Sequence, residues 1–497
     1  MLKILTTKQI KALDAYTIEH EPIASIDLME RASNAFVHWF VGKFDTRKKV
    51  GVVCGTGNNG GDGLAIARLL TEWNYSVGVY RVRAQTKESE DFHKNFQRLP
   101  KQIEVSDITS APDSFSKYDV LIDAIFGSGL TRPVDGLNAN VIDVMNQSKA
   151  ICVAVDIPSG LSADSTSSGT IVKADFTVSF QLPKLAFLLP ENGQYLGVWT
   201  TVNIGLSKEF IKGTSTELYL LTGKDIKKII NPRSKFDHKG NYGHALLIAG
   251  SYGKMGACVL SAKAALRSGV GLLTVHVPKN GYAIIQTAVP EAMVSIDVDD
   301  EFVTSIPDTE KYNATGIGPG IGQSPETIKA LSVLLTKSTK PLVVDADALN
   351  ILASHRELLH SIPEKSILTP HPKEFERLVG NWKNDFERLE KLKEFSKQLK
   401  SIVILKGAYS AVATPDGSVY FNSTGNPGMA TGGSGDVLTG ILTGLLAQGY
   451  TSEDAAKAGV YLHGLAGDLA AQEKGMHGLI ASDLIDFLPY AFSALDK

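Results

Sequence analysis

Cysteine is scarce in this chain: three among 497 residues, Cys54, Cys152 and Cys258, an odd number, far apart and each in or beside an apolar run. That pattern argues against a disulfide frame or a zinc site and leaves three buried, reduced thiols. A basic excess is lacking too. The formal net charge is -3 with no clustered basic stripe, which argues against a general binder of nucleic acid or anionic membrane. No apolar run approaches membrane-spanning length, and the opening MLKILTTKQIKALDAYTIEH meets acids and lysines too early for a signal peptide. A cytoplasmic protein is expected. The remaining composition, 43% apolar and 21% charged, is globular, and the length predicts two to three domains.

Glycine is not scarce, and its densest stretch organises the rest. TGNPGMATGGSGD, Thr424 to Asp436, holds five glycines in thirteen residues, too many for a helix or strand. The run after it places Val437, Leu438, Ile441, Leu442, Leu445 and Leu446 at the spacing of a buried helical face. A glycine loop feeding a helix start offers unpaired amides and the positive end of the helix dipole, a place for phosphate. Asp436 at that mouth would repel a phosphate unless it acts on the substrate, as general base or ligand of a metal-bound water. It reads equally as a helix cap.

Two opening helices are expected, with Thr7 and Ser25 as N-caps and Leu28, Ala32, Ala35, Phe36 and Trp39 on one face of the second; they read as packing helices. KKVGVVC, GTGNNGGDG, LAIARLLTEW and SVGVYRV then spell a βαβ unit. Gly55, Gly57 and Gly60 satisfy GxGxxG, but Asp62 sits where a pyrophosphate needs amides, and SVGVYRV ends in arginines, which could suit a 2′-phosphate, without a ribose-binding acid. Two further strands end in an acid and a glycine loop: DVLIDAIFGSGLTRP with Asp123, and AICVAVDIPSGL with Asp156. In an open parallel sheet the carboxyl strand ends share one edge, so Asn58, Asn59, Asp62, Asp123, Asp156 and Ser159 can converge there. Any one of these acids alone reads as a turn residue; the pattern repeated at three strand ends is harder to dismiss. Asn59, Asp123 and Ser159 offer only oxygen donors, which suit a hard cation, and GSGLTRP adds amides and Arg132 for phosphate. ADFTVSFQLPKLAFLLPENGQYLGVWTTVNIGL closes this half with strands; its Lys184 reads as a site residue or as an edge lysine that blocks aggregation.

Periodicity weakens between Ser207 and Gly240, the best boundary. GHALLIAG, SYGKMG, ACVLSAKAALRSG and VGLLTVHVP restart the pattern as a second βαβ unit, without the GxxxxGK[ST] spacing of a P-loop. NATGIGPGIG, PLVVDADALN, SILTPHPKE and SIVILKGAYS are further strand-plus-loop units, followed by a hairpin, AVATP-DG-SVYFN, that leads into the glycine stretch. His371 stands between prolines at a strand end, and Lys406 ends an apolar strand, where burial favours a paired or phosphate-bound lysine.

GHALLIAGS, GPGIG, LTPHPKEF, LKG and TGNPGMATGGSGD, in this order, resemble the ribokinase-like ADP/ATP-dependent NAD(P)H-hydrate dehydratases. NNGGDG, DAIFGSGLTRPVDG, AVDIPSGL and SFQLPKLAF resemble the NAD(P)H-hydrate epimerases, and both halves together resemble the bifunctional NAD(P)H-hydrate repair enzymes over nearly the whole chain. The resemblance implies an α/β architecture of two doubly wound domains, a Rossmann-like epimerase domain over residues 1–215 and a ribokinase-like dehydratase domain over 225–497. It implies that the first interconverts R and S forms at the hydrated nicotinamide carbon. There Asn58, Asn59, Gly60, Gly61, Asp62, the loop Gly127, Ser128, Gly129, Leu130, Thr131, Arg132 and Pro133, and Asp156 contact the hydrate, while Asn59, Asp123 and Ser159 hold potassium. In the second, substrate contacts fall on Ala257, Gly320, His371 and Asp436, and nucleotide contacts on Lys406, Gly407, Ala408, Tyr409, Ser410 and Gly435.

ADP or ATP is then the co-substrate, with magnesium; the partners are hydrated NADH and NADPH, not nucleic acid or membrane, and a homo-oligomer is expected. Phosphorylating the ring hydroxyl makes it a good leaving group, with Asp436 taking its proton and the Gly432 to Gly435 amides stabilising the transferred charge. Asp156 is expected either to act as acid–base in reversible loss of water or only to orient the ring. The alternative is a ribokinase-like small-molecule kinase fused to a non-catalytic nucleotide-binding module.

Overall fold

The computed structural model describes residues 1–84, 87–130 and 132–496. The chain divides into two compact units, one of residues 2–216 with 384–386 and one of residue 1, 217–383 and 387–497.

In the first unit seven parallel strands form one sheet in the order Glu104–Ile108, Ser76–Val82, Lys49–Cys54, Val120–Ala124, Ile151–Val155, Phe176–Phe180, Val198–Val202. The order reverses between Lys49–Cys54 and Val120–Ala124, which opens a crevice at their carboxyl ends, the place where doubly wound sheets bind ligands. Central strands buried on both faces read as apolar runs, as KVGVVC and VLIDA do. The helix Ser25–Val41 packs Phe36, Phe40 and Val37 into the core beside Leu64, Ile66 and Leu70 of helix Asn58–Glu72. Each such large side chain contributes about 1.5–3 kcal/mol on burial.

The caps expected at Thr7 and Ser25 lie one residue earlier. Thr6 caps helix Thr7–His20, its hydroxyl accepting the Gln9 amide at 3.3 Å, while the Thr7 hydroxyl turns to the Ser128 carbonyl at 3.3 Å. Ala24 precedes helix Ser25–Val41 without a side-chain cap, because the Ser25 hydroxyl donates instead to Asp91 at 2.6 Å. A tertiary partner has displaced the local one.

The second unit repeats the order with more strands: Leu218–Leu220, Val419–Phe421, Ala411–Ala413, Ile402–Leu405, Ile367–Leu368, Leu342–Val344, Ala314–Ile317, His244–Ile248, Leu272–Val277, Met293–Ile296. From Ile402–Leu405 to Met293–Ile296 all neighbours are parallel; the expected hairpin is present as Ala411–Ala413 against Val419–Phe421. Here the order reverses between Ala314–Ile317 and His244–Ile248. Helix Ser434–Ala447 lies in the core of this unit with Val437, Leu438, Ile441, Leu442 and Leu445 buried. All three cysteines are free and buried, and among the described residues no helix is long and apolar enough to cross a membrane.

Candidate functional site

A cavity of about 550 Å³ lies at the reversal point of the first sheet. Asn58, Asn59 and Asp62 enter it from the start of helix Asn58–Glu72, whose N-cap Gly57 contributes no side chain. Gly127, Ser128, Gly129, Leu130 and Arg132 enter from the loop after Val120–Ala124, and Asp156 from the end of Ile151–Val155. Gly60, Gly61 and Pro133 are not among its lining residues. Gly60 serves packing: a Cβ there would stand 1.9 Å from the Gly55 carbonyl oxygen, so the helix start can close on the strand only without one. Thr131 lies outside the described residues.

Asp156 has φ +67°, a left-handed conformation costly for a side chain with a Cβ, and such strain is retained where the surroundings over-determine it. The surroundings do so. Its Oδ1 accepts from Lys184 Nζ at 2.5 Å, from the Phe180 amide at 3.0 Å and from the Ser179 hydroxyl at 3.4 Å. All three bonds converge on one oxygen, and Oδ2 remains for the cavity that Asp156 lines. Lys184 is no edge lysine: its side chain is 5% exposed, and its ammonium also donates to Ser179 at 2.6 Å. A buried ammonium needs a charge partner, and Asp156 is that partner.

Asp123 and Ser159, expected to converge on this cavity, are not among its lining residues, and both are wholly buried. Asp123 Oδ1 accepts from the Ser159 hydroxyl at 2.6 Å and its Oδ2 from the Ser159 amide at 2.7 Å, and no ammonium or guanidinium pairs with it among the described residues. Burial pushes its carboxyl up to about 6, against the pull of the Ser159 bonds. Asn59 is buried with Nδ2 lacking a hydrogen-bond partner, and its Oδ1 faces Gly127. Among the described residues no group of three or more His, Cys, Asp or Glu is arranged to hold a metal. Burial, reinforced by Asp156, Asp14 and Asp91, holds the Asp62 carboxyl well above the usual range.

In the second unit the glycine stretch turns into helix at Ser434, earlier than its composition suggests, so Gly435 and Asp436 belong to the first turn. The N-cap is Gly433 at φ +90°, where a Cβ would also stand 2.5 Å from Leu260. The loop is pinned from helix Ser452–Lys474: Asp468 accepts from the Gly425 amide and from Asn426, both at 2.9 Å, and His463 Nε2 lies 2.9 Å from the Ser434 carbonyl. The amides of Gly432, Gly433, Gly435 and Asp436 find no acceptor among the described residues. That is an anion cradle of the kind helix starts provide.

Asp436 caps nothing: its carboxylate takes no hydrogen bond from the helix start or from any other described residue. Burial first, then Asp345, pushes it up to about 6, against the pull of Lys406. Lys406 ends strand Ile402–Leu405 and reaches Asp345 Oδ1 at 2.9 Å, with Glu374 at 3.9 Å; a Cβ on Gly435 would lie 3.3 Å from its Nζ. The residues from Gly407 to Ser410 turn the chain towards Ala411–Ala413, with the Ser410 hydroxyl accepting the Gly407 amide at 3.2 Å. Tyr409 and Ala408 form the tip of that turn. Ala257 and Gly320 come together, since a Cβ on Gly320 would meet the Ala257 Cβ at 3.3 Å. His371 caps helix Pro372–Val379, its Nδ1 accepting the amides of Lys373 and Glu374 at 3.1 and 3.3 Å, and burial lowers its pKa.

Sequence reasoning missed Asp345. It is 1% exposed, with Oδ1 on Lys406 and Oδ2 accepting from Thr439 at 2.6 Å; burial raises its pKa, but Lys406 and Thr439 overcome that and hold it low. The signal was present: PLVVD is another apolar strand ending in an acid, the pattern that marked Asp123 and Asp156. Asp14, on helix Thr7–His20, also lines the first cavity, and nothing in its helical context marks it.

Comparison with known proteins bears on both units. The pattern of a family described as NAD(P)H-hydrate dehydratase matches residues 245–490, and that of a family described as YjeF-related protein N-terminus matches residues 25–186. A protein of Moorella thermoacetica named bifunctional NAD(P)H-hydrate repair enzyme Nnr is 36% identical, covering 99% of this chain and 97% of its own. The Escherichia coli protein of that name is 33% identical, covering 93% and 88%. Among solved structures, the ADP/ATP-dependent NAD(P)H-hydrate dehydratase of Bacillus subtilis, co-crystallised with ATP and magnesium, superposes with a TM-score of 0.50 at 33% identity, over 56% of this chain and all of that one. A ribokinase-like superfamily protein of Enterococcus faecalis does so with a TM-score of 0.51 at 28% identity, over 57% and 98%. At this identity the matches cover 99% and 93% of the chain, and the chain belongs to the family of bifunctional NAD(P)H-hydrate repair enzymes.

Proposed function

We propose that the chain restores hydrated NADH and NADPH in two steps: residues 1–215 interconvert the R and S epimers, and residues 225–497 dehydrate the S form using ADP or ATP. The observation that carries the second step is the bare Asp436 carboxylate beside four unbonded amides and the Lys406 ammonium. A phosphoryl group in that cradle would be stabilised by amides and ammonium, while Asp436 takes the proton of the attacking ring hydroxyl. The phosphorylated oxygen then leaves and the conjugated ring re-forms. Ala257, Gly320 and His371 are assigned to the hydrate, and Gly407, Ala408, Tyr409, Ser410 and Gly435 to the nucleotide. Magnesium would arrive with the nucleotide and offset the charge of its phosphates.

For the first step we assign Asn58, Asn59, Asp62, Asp156 and the loop of residues 127–133 to the hydrate. Potassium at Asn59, Asp123 and Ser159 is supported by a fully buried carboxylate that no cationic side chain pairs among the described residues. One carboxylate among neutral oxygens suits a monovalent cation, whose charge would rigidify the loop ends around the ring. A cytoplasmic setting and a homo-oligomer complete the proposal, the former supported by three thiols that stay unpaired.

The test is to incubate the full chain with hydrated NADH, ADP or ATP, magnesium and potassium, and to follow the reduced-nicotinamide absorbance. Its return is expected, and epimer interconversion is expected to slow when potassium is omitted. No return in any combination, or a stable phosphorylated product in its place, overturns the reading.

A further inference from the structure

We propose that Asp14 is a second acid–base group of the first crevice, working on the hydrated carbon from a different wall than Asp156. The proposal rests on the reading of this unit as an epimerase.

Helix Thr7–His20 lays Ile10, Lys11 and Asp14 along the cavity, while Asp156 comes from the carboxyl edge of the sheet. Asp14 sits in the helix interior, where aspartate is a poor helix former, and is only partly exposed. No donor among the described residues bonds its carboxylate. Of the two lysines that line the cavity, Lys184 is committed to Asp156 and Ser179, and Lys11 makes no ion pair with Asp14. Burying an unpaired carboxylate costs stability, so packing explains neither its identity nor its place. The charged groups facing it are Asp156, Asp62, Lys184 and Lys11. Burial and the Asp156 charge push Asp14 up to about 6, against the pull of Lys184.

Epimerisation needs a hydroxyl to leave one face of the ring carbon and water to return on the other. Protonated Asp14 gives its proton to the leaving hydroxyl as the C–O bond breaks, and the ring nitrogen's lone pair forms a C=N bond, leaving an iminium and water. Water then adds from the other face, the C=N electrons return to nitrogen, and the surplus proton passes to the Asp156 carboxylate. One proton moves from Asp14 to Asp156 and is reset through solvent; the opposite epimer uses the pair in reverse order. Two acids on separate walls make a turnover of the ring within the site unnecessary.

The test uses the full chain carrying Asp14→Asn. Interconversion is expected to lose about 10²–10⁴-fold in kcat with KM within about threefold, the range of a lost general acid–base group, while nucleotide-dependent dehydration of the S form is kept. In Asp14→Ala, added formate is expected to restore part of the rate, which a packing role would not allow. In the wild-type enzyme the rate is expected to bend near the Asp14 pKa and to do so equally in both directions, because the form with the proton on Asp14 and the form with it on Asp156 carry the same number of protons. An Asp14→Asn rate within threefold of wild type, a change in KM alone, no formate rescue, or a wild-type rate flat from about pH 5 to 8 overturns the assignment. A wild-type chain that interconverts nothing overturns instead the epimerase reading on which it rests.

Discussion

The two crevices share one strand order but treat their central acids in opposite ways. In the first, the buried lysine pairs with the acid that faces the cavity: Lys184 holds Asp156 through one oxygen. In the second, the buried lysine pairs elsewhere, Lys406 with Asp345, and Asp436 stands bare. The difference teaches that a lysine beside an acid has two uses. Paired, it fixes the direction of a carboxylate in a strained backbone conformation. Held to one side by Asp345, it leaves its positive field to an incoming anion, and the bare acid, pushed up to about 6, becomes a stronger base than an ordinary aspartate. A group-transfer site needs the second arrangement, because its charge arrives with the nucleotide.

The strongest test of that contrast is Asp436→Asn. Recovery of the reduced-nicotinamide absorbance is expected to fall at least 10²–10⁴-fold, the span of a lost general base, while R and S forms interconvert at the wild-type rate. Chiral chromatography of the hydrate alongside the absorbance assay reads both. Loss of both activities would break the claim that the crevices work independently.

Lys184→Met comes next. Removing one partner of a buried pair leaves the other charge uncompensated, at a cost of about 3–5 kcal/mol. A melting transition shifted down by several degrees is expected, together with loss of interconversion and retention of dehydration in the folded protein. A wild-type melt would show that Asp156 does not depend on its lysine.

Much of this architecture was legible from residues alone because buried parallel strands announce themselves as apolar runs, and their ends as glycine loops with acids. KVGVVC, VLIDA and HALLI are all strands at the reversal points, and the glycine stretch before Val437 does feed a helix. What stayed hidden depended on partners far along the chain. Ser25 reads as a cap until Asp91, 66 residues on, claims its hydroxyl; Lys184 reads as an edge residue until the fold brings Asp156 to it. Asp345 was readable by the acid-at-strand-end rule, whereas Asp14 was not, since only the packing of its helix turns that face to the cavity.

The smallest effect expected concerns stability, and it separates the two acids by sign. Asp436 has its folded pKa raised from 3.8 to about 6. The folded state therefore favours the proton, so the associated stability is fully present below the unfolded value and is lost as pH rises through about 6. At pH 8 the wild type carries the cost of a buried, unpaired carboxylate, at most about 3 kcal/mol by linkage. Asp436→Asn removes that charge while keeping its volume, so the variant is expected to melt above wild type at pH 8 and level with it near pH 4, although it is inactive. Asp156→Asn should do the reverse at pH 8, melting below wild type, because it strands the Lys184 ammonium. Calorimetry of both variants at the two pH values decides it: if both shift in the same direction at pH 8, the division between a paired acid and a bare one fails.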